Sequence, residues 1–226
     1  LRNLIIGKVY TSADLAYYNQ GDKFPKVVVT NINTSIDSVL LPSMSEEQDH
    51  ANRVKSMTRR AIKTSTYIMA PLMMGLLFCA EPIVKLLLTD KWLPCVPYLR
   101  IFCFTYLFWP IHTANLNAVK AMGRSDLFLR LEIIKKAIGL ILLLLTMRIS
   151  VMAMAYSLIV SSIFSQVANS WPNWKLLNYN YLEQLRDILP SIIIAIGMGV
   201  CVYFIGFIPL STVVTLMIQI IAGAAI

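Results

Sequence analysis

Thr30, Asn33, Thr34, Asp37 and Ser38 recur at three- and four-residue spacing, which gathers them on one face of a helix. Asn31 lies beside that stripe. A carboxylate among hydroxyls and amides can hold an ion or proton, or accept hydrogen bonds from a sugar. It can equally anchor a neighbouring helix through a paired cation. A second set runs Thr105, His112, Thr113, Asn115, Asn117 and Lys120, with Trp109 near the line of His112 and Pro110 beside it. His112 reads first as a hydrogen-bonded packing histidine and second as a proton relay. Pro110 withholds a backbone N–H and predicts a bend. A third set holds Arg124, Glu132, Lys135 and Lys136. Glu132 can pair with Lys135 or with Lys136, so one lysine keeps no partner nearby in sequence. With Lys120 and Arg124, that lysine would form a cationic mouth suited to an anionic group such as phosphate. The alternative is snorkelling towards lipid headgroups. Ser157, Ser161 and Ser165 repeat every four residues, with Ser162, Gln166 and Asn169 nearby, a pattern expected of a close helix–helix contact.

These groups sit inside apolar runs. The 226 residues are 57% hydrophobic and 14% charged, against about 45–50% and about 25% in soluble domains. Such long apolar runs require bilayer rather than water as their solvent. Runs of spanning length cover residues 24–44, 63–88, 98–122, 126–149, 151–171, 188–208 and 210–226. They predict an all-α, polytopic transmembrane bundle. The stretch 1–23 reads as the end of a truncated span plus a periplasmic connection. Residues 24–171 read as five spans, and 172–226 as a cytoplasmic connector with two further helices, nearly featureless and lipid-facing. Arg53, Lys55, Arg59, Arg60 and Lys63, then Lys120 to Lys136, then Lys175 and Arg186 enrich alternate connections in positive charge, which predicts that those connections are cytoplasmic. Tyr17, Tyr18, Trp92, Trp171 and Trp174 fall where interfacial rings belong.

The net charge of +8 follows from these connections. The basic stretches lack interleaved aromatic residues, so nucleic acid is not an expected partner. Cys79, Cys95, Cys103 and Cys201 form no CxxC pair and no Cys/His cluster, so they are expected to be buried or lipid-facing thiols, with no metal and no cofactor. No GxSxG, Walker loop or HExxH is present, and an enzyme is the weaker class. Both ends read as cut from something longer.

Five segments in succession carry a resemblance: GKVYTSADLAYYNQGDKFP, SIDSVLLPSMSEEQ, RVKSMTRRAIKTS, EPIVKLLLTDKWLPCVPYLRI and NLNAVKAMGRSDLFLRLEIIKK. Their order and spacing over residues 7–136 resemble the C-terminal half of oligosaccharide flippases of the MOP superfamily, the O-antigen and capsule type. The resemblance implies a two-lobe transporter working by alternating access. This chain would be the second lobe with an extra helix pair, truncated, in a bacterial inner membrane and inactive alone. The implied partners are a lipid-linked oligosaccharide, membrane lipids, a missing N-terminal lobe and glycan polymerase machinery. Asn31, Asn33, Thr34, Asp37, His112, Asn117, Lys120, Arg124, Glu132, Lys135 and Lys136 are the candidates for the substrate path. A drug or cation antiporter of a related branch, with Asp37 as ion site, is the alternative transport reading. A membrane scaffold of glycan assembly is the alternative outside transport.

Overall fold

A computed structural model describes residues 1–206 and 212–225. Every regular element among the described residues is helical: α1 (Arg2–Val9), α2 (Ser12–Glu46), α3 (Ala51–Phe78), α4 (Ala80–Leu87), α5 (Val96–Leu107), α6 (Trp109–Ala121), α7 (Ser125–Thr146), α8 (Val151–Leu177), α9 (Tyr181–Ile205) and α10 (Thr212–Ala225), with a 3-10 turn at Asp90–Cys95. The apolar runs 188–208 and 210–226 extend in part beyond the described residues.

Several boundaries differ from the expected spans, each for a local reason. Residues 12–23, read as a connection, belong to α2. Thr11 and Asp14 form a capping box: the Asp14 N–H donates to Thr11 Oγ1 at 3.1 Å, and the Thr11 N–H donates to Asp14 Oδ2 at 3.2 Å. α2 continues through Gly21 and Pro25. Pro25 costs the hydrogen bond to the Gly21 carbonyl, while Gly21 lets the backbone of α5 approach closely. A methyl group at Gly21 would stand 2.7 Å from Tyr98 Cβ and 2.8 Å from the Leu99 nitrogen. The connection between the spans 24–44 and 63–88 shrinks to a short turn, because Val54, Thr58 and Ile62 bury one face of α3 from its first turns. The run 63–88 divides at Cys79. The run 98–122 divides at Phe108, where Pro110 offers no N–H to the carbonyl of Tyr106 and α6 restarts.

Among the described residues, α3, α8 and α9 are each long and apolar enough to cross a membrane by length and composition. The others are polar-striped (α2), divided (α5 and α6) or cation-bearing (α7). The outer surface exposes Leu129, Ile133, Ile141, Leu144 and Leu145 on α7, and Ile193, Ile194 and Ile196 on α9. A water-soluble bundle does not leave apolar ridges of this extent uncovered; lipid covers them here. The protein is a multi-pass membrane bundle. Cys79, Cys95 and Cys103 are buried, Cys201 is exposed on α9, and all four are unpaired thiols.

α2 packs against α5 and α6, α7 against α8, and α3 along α9. The last contact corrects the expectation that residues 188–208 are featureless and peripheral. Asp187 of α9 is only 5% exposed and takes Arg59 Nε at 2.7 Å and Lys63 Nζ at 3.0 Å from α3. The Tyr179 hydroxyl donates to Asp187 Oδ2 at 2.9 Å. Burial first, then this carboxylate, pushes the Tyr179 phenol well above its usual range, so it stays a donor. Alongside lies a buried amide cluster, in which Asn115 Nδ2 donates to Gln184 Oε1 at 2.8 Å and to Ser170 Oγ at 3.2 Å. Met44, Val54, Ala121, Leu177 and Tyr179 share one core cluster. The basic connections α2–α3, α6–α7 and α8–α9 therefore lie at the same end of the bundle. Tyr18, expected at an interface, is instead buried against Tyr98 and Phe102.

Candidate functional site: a cavity between α2, α5–α6, α7 and α8

A cavity of about 570 Å³ opens between these helices. Of the expected site residues it brings together Asp37, His112, Asn117, Lys120, Glu132, Lys135 and Lys136. The bend at Phe108 and the antiparallel turn after α6 produce this arrangement. Lys120 stands at the last turn of α6, while Lys135 and Lys136, three turns into α7, come level with His112 and Trp109 on α6.

The charges resolve the pairing that spacing left open. Lys135 contacts Glu132, three residues away, and Lys136 has no ion pair among the described residues. Lys120 Nζ lies 4.7 Å above the ring of Phe128. Asp37 receives the Asn117 amide at 2.6 Å, not a cation. It stands about 13 Å from the end of α2, since the helix runs on to Glu46, and so is slightly farther from that end than the span 24–44 implied. Three lysines thus face two carboxylates, one of them held by an amide and the other by Lys135. A concave, partly dehydrated pocket of this kind favours an anionic ligand.

His112 serves the packing role and lines the cavity as well. Asn169 Nδ2 lies 2.8 Å from its Nδ1, so the amide donates and the neutral ring carries its proton on Nε2. Asn33 is buried behind the wall, accepting from Thr113 Oγ1 at 3.0 Å. Thr34 turns its hydroxyl back onto the Thr30 carbonyl at 2.8 Å and does not line the cavity. Asn31 faces the opposite side of α2, in a shallow groove with Thr64, Ser65 and Ile68 of α3. Arg124 sits outside the cavity and pairs with Asp126 at 3.0 Å.

Sequence reasoning missed part of the lining. Phe102, Tyr106 and Trp109 form one wall, and Ser161, Ser162 and Ser165 of α8 form another. The serine repeat was visible, but it was read as packing. Ser157 fits that role, accepting from Arg2 Nη1 at 3.1 Å, and Ser161 combines it with lining the cavity, since its Oγ stands 3.7 Å from where a methyl group on Gly139 of α7 would lie.

An all-helical, multi-pass membrane bundle with a cation-rich cavity cut into one side is the class that this fold and site define. Known proteins narrow it. The family described as "Polysaccharide biosynthesis protein" matches residues 1–97. The teichuronic acid biosynthesis protein TuaB of Bacillus subtilis (strain 168) is 20% identical over 201 residues, covering 88% of this chain and 42% of TuaB. A membrane protein in the cps region of Klebsiella pneumoniae is 24% identical over 131 residues, covering 58% of this chain and 26% of that protein. Among solved structures, the lipid II flippase MurJ in its inward closed conformation superimposes with a TM-score of 0.78 at 16% identity, over 96% of this chain and 47% of MurJ. The likeness to MurJ is one of fold. This chain spans less than half the length of each of these relatives. The match of residues 1–97 to a polysaccharide biosynthesis family and the fold shared with MurJ both agree with the resemblance carried by the five segments.

Proposed function

We propose that this chain forms one lobe, with an adjoining helix pair, of a transporter that flips a lipid-linked oligosaccharide across the bacterial inner membrane, from cytoplasmic to periplasmic leaflet. The observation that carries this reading is the cavity itself. Lys120, Lys135 and Lys136 converge there with hydroxyl and amide groups, a lining that suits a diphosphate carrying sugars. The bundle end rich in basic connections would face the cytoplasm. A second lobe would close the cavity, and the chain would act by rocking rather than by catalysis. An antiporter would place its ion on Asp37, but Asn117 already holds that carboxylate, and the neighbouring lysines repel a small cation.

Deleting the gene should leave lipid-linked repeat units accumulating in the cytoplasmic leaflet, and the intact gene should restore their passage. Continued accumulation after complementation would remove the proposal. Lys136→Gln in the intact protein should weaken binding of undecaprenyl diphosphate severalfold. The effect is modest because Lys136 is solvent-exposed and water screens its charge. Equal affinity of the two proteins would show that Lys136 does not meet the diphosphate.

A further inference from the structure

Hydroxyl groups in these helices fall into two kinds. Ser157, Ser170, Thr105 and Thr146 each donate to a carbonyl three or four residues earlier, at 2.7–2.9 Å. Such back-bonding uses the one proton of a hydroxyl inside a membrane and leaves a ligand only its lone pairs. Ser161, Ser162 and Ser165 make no such bond among the described residues, and all three line the cavity. They are half-buried, in surroundings where an unmade hydrogen bond is costly.

Across the cavity stands Trp109, 41% exposed. Its ring makes T-shaped contacts with Tyr106, at 5.2 Å between centroids and 72°, and with His112, at 6.5 Å and 67°. These two ring contacts hold the orientation of the indole, and Trp109 borders the cavity. Lys135 and Lys136 stand at the same level on α7, because Trp109 and these lysines lie at similar distances along antiparallel helices from the α6–α7 turn. An aromatic plate, a row of unpartnered hydroxyls and an unpaired cation therefore converge at one depth.

We infer that Trp109 is a stacking platform for the sugar ring joined directly to the diphosphate, and that Ser161, Ser162 and Ser165 bond that sugar's hydroxyl groups. The chemistry is that of a pyranose. Its C–H face packs on an aromatic ring, while its equatorial hydroxyls need partners once they leave water. Trp109 would be a positioning and specificity residue, setting which first sugar is accepted. The inference rests on the flippase reading but makes a separate demand: the site must distinguish a glycosylated diphosphate from a bare one.

The test uses the intact gene product in lipid nanodiscs and two kinds of probe. One is undecaprenyl diphosphate; the other is the same lipid carrying glucose, galactose or N-acetylglucosamine. Wild-type protein is expected to bind at least one glycosylated probe more tightly than the bare lipid. Trp109→Ala should remove about three- to tenfold of that affinity and leave the bare lipid's affinity unchanged, whereas Trp109→Phe keeps most of it. The double substitution Ser161→Ala with Ser165→Ala should also act on the glycosylated probe alone. Equal loss on both probes, or no loss, in a Trp109→Ala protein that unfolds at the wild-type temperature overturns the stacking role. Equal binding of all probes by the wild type overturns it too and leaves the diphosphate reading standing. Failure of the wild type to bind any of them overturns both.

Discussion

Replacing Gly21 by valine is expected to destabilise the bundle by about 3 kcal/mol, near the upper end of overpacking costs. Thermal unfolding of the purified protein in detergent measures it. The size follows from what stands opposite. Even a bare Cβ would meet Tyr98 Cβ at 2.7 Å, the Leu99 nitrogen at 2.8 Å and the Cys95 carbonyl oxygen at 3.1 Å. Two of these three atoms are backbone, so no side chain can rotate out of the way. The helices α2 and α5 must separate instead, and the core cluster that includes Val29, Leu99 and Cys103 loosens with them. Gly21→Ala should already show part of the loss. Gly197 in α9 is the contrasting case, since a methyl group there has nothing within 4 Å. Gly197→Ala should leave stability unchanged or raise it by up to about 1 kcal/mol through helix propensity. Equal effects at the two positions would show that α2 and α5 do not approach as described.

Removing the Asp187 carboxylate should be of similar size. Asp187→Ala is expected to cost about 2–4 kcal/mol, from a hydroxyl and two cations losing one shared acceptor. Tyr179, fully buried, would keep its proton and have no acceptor for it. Arg59 and Lys63 would face each other with only Glu183, 3.6 Å from Arg59, to offset them. Both cations are about half exposed, at 43% and 49%, so water screens part of that repulsion and holds the cost below that of a fully buried pair. Asp187→Asn should cost less, because an amide oxygen still accepts from Tyr179. A double-mutant cycle with Tyr179→Phe should return a coupling of about 0.5–3 kcal/mol. A wild-type unfolding temperature for Asp187→Ala would show that the α3–α9 seam is held by apolar packing alone.

Much of the site was legible because its cause is local. The stripe through Asn33 and Asp37 follows from helical period, and the break near Trp109 follows from the missing N–H of Pro110. The start of α2 was also written locally, in Thr11 and Asp14, although the polar character of residues 12–23 made them read as a connection. What stayed hidden depends on distant partners. Asp187 meets Arg59 across 128 residues of chain, while the cation beside it in sequence, Arg186, is not its partner. The serines of α8 carry the same spacing whether they face a helix or a cavity.

By itself the sequence determined that this protein is a helical membrane bundle, because apolar runs of spanning length must be covered by lipid whatever their arrangement. It also determined that the lysines, His112 and Asn117 lie in two neighbouring helical segments. Only the tertiary structure decided that Asp37 faces the cavity while Asn31 faces α3, that Lys135 rather than Lys136 takes Glu132, and that Trp109 stands level with the free lysine. Those outcomes depend on how each helix is rotated about its axis and how far it is shifted along it. Close packing of side chains far apart in the chain sets both.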